Sequence, residues 1–163
     1  MRRRLLAVGA VGLVLFLMGA RPTAAQDNLL ANVRFEEGPS GWRVDKDAGT
    51  EARFAIEKSG GALGECCARV SLGAIRGWGT QFGQSLAAPA PGRTYTFAVM
   101  VKPTKGPLRA NLQIERGAKP YDRVAASEPA TLAPDRWTEI HVTFTLEKPY
   151  PEGWFAYVAC RQE

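Results

Sequence analysis

The stretch Thr94–Glu115, TYTFAVMVKPTKGPLRANLQIE, decides the fold class. In its first eight residues Tyr95, Phe97, Val99 and Val101 alternate with Thr94, Thr96, Ala98 and Met100; in its last eight, Leu108, Ala110, Leu112 and Ile114 alternate with Arg109, Asn111, Gln113 and Glu115. A period of two belongs to β-strands, where successive side chains point to opposite faces. The intervening KPTKGP carries two prolines and a glycine, which suit a turn and not a ladder. Because Arg109, Asn111, Gln113 and Glu115 are polar throughout, one face of this hairpin is buried and the other is wet.

Working outward, Glu139–Leu146 repeats the pattern, with Ile140, Val142, Phe144 and Leu146 inward and Glu139, His141, Thr143 and Thr145 outward. Further strands are expected over 51–57, 66–72, 79–86 and 154–161, separated by Gly/Pro turns such as KSGG at 58–61 and APAPGR at 88–93. The window starting at Trp154 is apolar on both faces, which predicts a central or covered strand. After residue 25 no window sustains a helical period. The expectation is an all-β fold, a two-sheet antiparallel β-sandwich or jelly roll, as one domain over residues 26–163. Phe35, Trp42, Phe97, Trp137 and Phe144 are assigned to its core.

Residues 1–25 read as a secretory signal peptide: Arg2, Arg3 and Arg4, an uncharged apolar run over 5–20, then Thr23, Ala24 and Ala25 before Gln26. The apolar run falls short of the roughly 20 residues a spanning helix needs. A secreted, extracytoplasmic and monomeric protein is expected, with no stable membrane insertion after cleavage. The leader also changes the meaning of the charge. Of the 21 Lys and Arg, four (Arg2, Arg3, Arg4 and Arg21) lie in residues 1–25, which hold no acid, so 17 bases face 16 acids in the rest. A domain this close to neutrality, with scattered bases, lacks the footprint of a nucleic-acid binder.

Three cysteines in a secreted chain raise the question of a disulfide. Adjacent cysteines do not readily bond each other, so a bridge from Cys67 to Cys160 is expected, with Cys66 as the alternative partner. Catalysis finds no motif. Glu36 and Glu37 are adjacent and would diverge on a strand, whereas a glycosidase sets two carboxylates across a bond. There is no Gly-x-Ser-x-Gly elbow, Walker loop or His-based zinc motif, and His141 is the sole histidine.

The opening Asn28-Leu29-Leu30-Ala31-Asn32-Val33-Arg34-Phe35-Glu36-Glu37-Gly38, followed by Gly41-Trp42, resembles the start of the carbohydrate-binding modules of the cellulose- and xylan-binding kind, families four, nine, sixteen and twenty-two. Ser59-Gly60-Gly61, Gly77-Trp78-Gly79 before Gln81, Pro91-Gly92-Arg93-Thr94-Tyr95-Thr96-Phe97, and Arg136-Trp137-Thr138 are similar to the same modules in order, over residues 27 to 160. The resemblance implies a galactose-binding-like sandwich that binds sugar without catalysis. It also implies a structural calcium held in part by Glu36, although no other cofactor is required. The second acidic ligand, carried in such modules by a last strand, has no counterpart up to Glu163, so a fragment or a differently closed sandwich is expected. Alternatives are a structural or protein-interaction sandwich that lacks the sugar site, and an accessory domain of a secreted glycoside hydrolase.

Sugar recognition needs flat apolar surface for the CH faces of pyranoses, with amides or charges to bind hydroxyls. Trp78, Gln81, Asn111, Gln113 and Tyr121 meet that requirement best, as aromatics and amides on or beside a polar strand face. Arg109, Glu115 and His141 are supplementary candidates for the same face. The partner expected is a polysaccharide or oligosaccharide.

Overall fold

The computed structural model describes residues 28–160 and one strand nearer the N-terminus, Arg4–Gly12; the expected cleavage region lies outside the described residues. The strands are β1 (Arg4–Gly12), β2 (Trp42–Lys46), β3 (Ala52–Glu57), β4 (Cys67–Leu72), β5 (Thr80–Leu86), β6 (Thr94–Pro103), β7 (Leu108–Arg116), β8 (Arg123–Ala126), β9 (Ala130–Leu132), β10 (Thr138–Thr145) and β11 (Trp154–Cys160). They form two antiparallel sheets: one of five strands in the order β10-β6-β1-β4-β3, and one of six in the order β2-β5-β11-β7-β8, with β9 also on β7. No helix occurs among the described residues.

The alternation read from the sequence sets the layers. Val70, Leu72, Tyr95, Phe97, Val99 and Val101 of the five-stranded sheet share one buried cluster with Phe82, Leu112, Ile114, Trp154, Ala156 and Val158 of the six-stranded sheet. On the outer face of the five-stranded sheet, Thr94 meets Thr145 at 3.0 Å and Thr96 meets Thr143 at 2.8 Å, cross-strand hydroxyl pairs that suit a wet surface. As its apolar pattern requires, β11 lies at the centre of its sheet between β5 and β7.

The N-terminal segment closes one end of this core. Phe35 is fully buried against Trp42, with ring centroids 5.1 Å apart. The Asn32 side chain donates to the carbonyls of Gly38 and Ser40 and accepts from the Glu37 amide, which holds the turn. Gln84 on β5 then ties the segment down: its Oε1 accepts from the Ala31 amide and its Nε2 donates to the Ala31 carbonyl. A buried amide satisfied on both ends can replace a strand partner for one residue.

Two expectations are corrected. Trp137 is only half-buried, outside the core cluster, with the Lys102 ammonium 4.8 Å above its ring. The Cys67–Cys160 bridge is not formed, and Cys66, Cys67 and Cys160 are all free thiols. The reason is directional. Cys160 joins the cluster between the sheets, whereas Cys67 alternates with core-facing Ala68 and Val70 and turns to the other side of β4. Burial pushes the Cys160 thiol up to about 12, so it stays protonated and inert.

Within the segment read as leader, β1 pairs with β4 on one side and β6 on the other. Removing residues 1–25 would leave the facing edges of β4 and β6 without a ladder partner. Hydrogen exchange should accordingly be faster at β4 and β6 amides in a chain beginning at Gln26 than in the full chain. Equal protection in both would show that β4 and β6 do not depend on β1.

Candidate functional site

The outer face of the six-stranded sheet is assembled in rows by its register. Gln81 on β5 pairs with Ala159 on β11, which pairs with Asn111 on β7. The next row runs from Arg43 on β2 through Gly83 and Tyr157 to Gln113 and Ala126. The third runs from Ser85 through Phe155 to Glu115 and Arg123. Two steps at the usual strand spacing put Gln81 and Asn111 about 10 Å apart, with only the methyl of Ala159 between them. The first row therefore sets the amides of Gln81 and Asn111 on either side of Ala159, with Asp45 of β2 beyond Gln81.

A cleft of about 450 Å³ opens on this face, lined by Arg109, Asn111 and Gln113 from β7, Ala159, Arg123, and the wall Ser127-Glu128-Pro129. That wall has a local cause. Pro129 has no N–H for a ladder and breaks the edge between β8 and β9. Ser127 then anchors the detour, with its N–H donating to the Leu112 carbonyl and its Oγ accepting from the Leu112 amide at 3.0 Å. Glu128 and Pro129 line the cleft together with Asn111.

The floor beside the cleft is aromatic but covered. Phe155, Tyr157 and Ala159 form a second buried cluster on this side of the sheet, the two rings 5.1 Å apart and stacked. The Arg43 guanidinium lies 4.0 Å over the Phe155 ring and is held there by Asp45 and the Ser85 hydroxyl. Tyr157 is only 1% exposed, and its hydroxyl contacts Gln113 Oε1 at 3.0 Å and a Glu115 carboxylate oxygen more closely. Gln113 reaches Asn111 in turn, with Nε2 and Oδ1 3.3 Å apart. Gly83 makes room for this arrangement: a Cβ there would sit 2.5 Å from the Tyr157 Cβ and 2.2 Å from the Ala156 carbonyl oxygen.

Of the residues singled out from the sequence, Gln81, Asn111 and Gln113 share this face, and Arg109 and Glu115 join them. Gln81 lies beside the cleft and not in its lining, and Trp78 and Tyr121 do not line it either. Trp78, 43% exposed, sits in the turn before β5 with its backbone N–H donating to Asp47 Oδ2; Tyr121, 53% exposed, lies in the turn between β7 and β8. His141 belongs to β10 of the other sheet, so it is not on this face. Arg43, Arg123, Ser127, Glu128, Tyr157 and Ala159 were not anticipated as site residues. For Tyr157 a signal existed, the run of apolar residues on both faces of β11. Glu36 is exposed, and no group of three His, Cys, Asp or Glu side chains gathers around a point among the described residues.

Residues 27–158 match the sequence profile of a family described as a carbohydrate binding domain. No curated protein matches the chain. Among solved structures, a CBM22-1–CBM22-2 tandem domain from Paenibacillus barcinonensis Xyn10C superposes with a TM-score of 0.59 at 16% identity, covering 86% of this chain and 42% of that one. The chain thus spans less than half of the tandem. A structure described as a CBM4 gives 0.56 at 18% identity, covering 78% of this chain and 81% of the other. The CBM22-1 xylan-binding domain of Paenibacillus barcinonensis Xyn10C gives 0.55 at 14%, covering 77% and 80%. At these identities the likeness is one of fold.

Proposed function

Since the chain belongs to the carbohydrate binding domain family, we propose that it is a secreted, non-catalytic module that binds polysaccharide in the cleft on the outer face of its six-stranded sheet. The observation that carries this reading is the cleft itself, where the Asn111 and Gln113 amides and the Ala159 methyl share the lining, with Gln81 in the same row as Ala159 and Asn111 beside it. Side-chain amides both donate and accept, matching hydroxyls that do the same. Gln113, Arg109 and Arg123 extend the polar wall along the cleft. The near balance of charge outside residues 1–25 suits a neutral glycan, and the similarity to a xylan-binding domain makes xylan the first ligand to try.

Affinity electrophoresis of the chain in gels containing soluble β-glucan, xylan or mannan tests this. Retardation in at least one gel is expected, and unchanged mobility in all three would overturn the reading. The rival, a sandwich used for protein contact, gains from one observation: among the described residues, no exposed aromatic ring lines the cleft.

A further inference from the structure

The contact between Tyr157, Gln113 and Glu115 carries more than a structural link. The Tyr157 hydroxyl has one proton, yet two oxygens stand against it, Gln113 Oε1 and a carboxylate oxygen of Glu115. It can donate to only one. A charge-assisted hydrogen bond is roughly twice as strong as a neutral one, so the proton goes to Glu115. An oxygen of Gln113 against the phenol oxygen would then be acceptor against acceptor inside a site where Gln113 is only 3% exposed. Amide oxygen and nitrogen are interchangeable in shape, and the hydrogen-bond network decides between them. With the Gln113 amide turned over, its NH₂ donates to Tyr157, and its oxygen faces Asn111 and accepts from the Asn111 NH₂. Each of these three contacts then sets a donor against an acceptor.

We propose that Tyr157 is a positioning residue for specificity: through Gln113 it orients the Asn111 amide so that its oxygen faces the cleft, which selects glycans with a free hydroxyl at that point and disfavours O-acetylated ones. The proposal rests on the polysaccharide reading above and deepens it. A free hydroxyl donates to the Asn111 oxygen. An ester places acceptor oxygens there instead, leaving the amide oxygen desolvated and unpaired. The covered setting of the relay supports a fixed orientation, because the phenol and the Gln113 amide it contacts are both buried beside the Phe155 ring, where water does not compete.

Two measurements on the full chain separate this proposal from the reading beneath it. In a ¹⁵N,¹³C-labelled sample without ligand, NMR coupling across the hydrogen bond should run from Asn111 Nδ2 to the Gln113 carbonyl carbon and should vanish in Tyr157→Phe, which keeps the ring. Coupling in the opposite sense, from Gln113 Nε2 to the Asn111 carbonyl carbon, overturns the proposal whatever the chain binds. Affinity electrophoresis on alkali-extracted xylan and on the same xylan re-acetylated should show about a tenfold preference for the unacetylated form. That preference should fall to less than half in Tyr157→Phe and in Gln113→Met, which cuts the relay one link later. Full preference in both variants overturns the proposal. No retardation on either xylan would count against xylan as ligand, and the coupling alone would then judge the orientation.

Discussion

Replacing Phe35 with alanine is expected to remove about 3–5 kcal/mol of stability, the usual cost of deleting a fully buried aromatic side chain. Phe35 has no exposed surface, and its ring lies 5.1 Å from Trp42 and 6.3 Å from Phe82. Phe82 also contacts Phe54 at 5.2 Å, so the group joins β2 and β5 of one sheet to β3 of the other. Neighbours fixed in two sheets have little freedom to collapse into the void, which puts the loss toward the upper end of that range. Domains of this size are stable by about 5–15 kcal/mol in all, so a third or more would go. The denaturation midpoint in urea, with an unchanged slope, is the measurement. A loss below about 1 kcal/mol would mean that Phe35 does not plug the sandwich. Phe35→Leu, which refills much of the volume, should cost well under half as much.

The same residues show what the sequence made legible. A two-residue period is written directly into Thr94–Val101, Leu108–Glu115 and Glu139–Leu146, because burial of one face dictates it; those strands and their inward faces appear as expected. Gln81, Asn111 and Gln113 were legible for the same reason, as polar positions on strands whose other face is buried. The direction of the Trp78 and Tyr121 rings was not legible because they sit in turns, where alternation says nothing and backbone conformation sets direction: Gly77 and Gly79 flank Trp78 with positive φ, and Tyr121 itself has φ +58°. The cleft wall was illegible because β8 and β9 are too short for a period and owe their break to Pro129 and the Ser127–Leu112 hydrogen bonds. The Tyr157 relay is a further step removed. It depends on which outward apolar residues are covered, and Arg43 covers Phe155 from a strand, Trp42–Lys46, that the sequence reading did not identify.

Where the ligand contacts fall can be decided by the amide row. Gln81→Ala and Asn111→Ala should each weaken binding by roughly three- to tenfold, since a neutral hydrogen bond contributes about 0.5–1.5 kcal/mol. Because the two positions lie about 10 Å apart on separate strands with Ala159 between them, their effects should add, giving roughly ten- to a hundredfold in the double variant. Thermal stability should move little for Gln81, a partly exposed side chain on the outer face. Asn111→Ala also removes the end of the Gln113 relay, so its single effect should exceed that of Gln81→Ala. Trp78→Ala and Tyr121→Ala provide the contrast: both rings are exposed and sit in turns, not on the strand rows of this face, so neither should shift affinity beyond about twofold. Affinity electrophoresis of the set on a retarding glycan gives the ranking. If the two aromatic variants lose more than the double amide variant, the glycan binds at the strand ends instead of on the sheet face. The row Gln81–Ala159–Asn111 would then be the surface of a scaffold and not a binding floor.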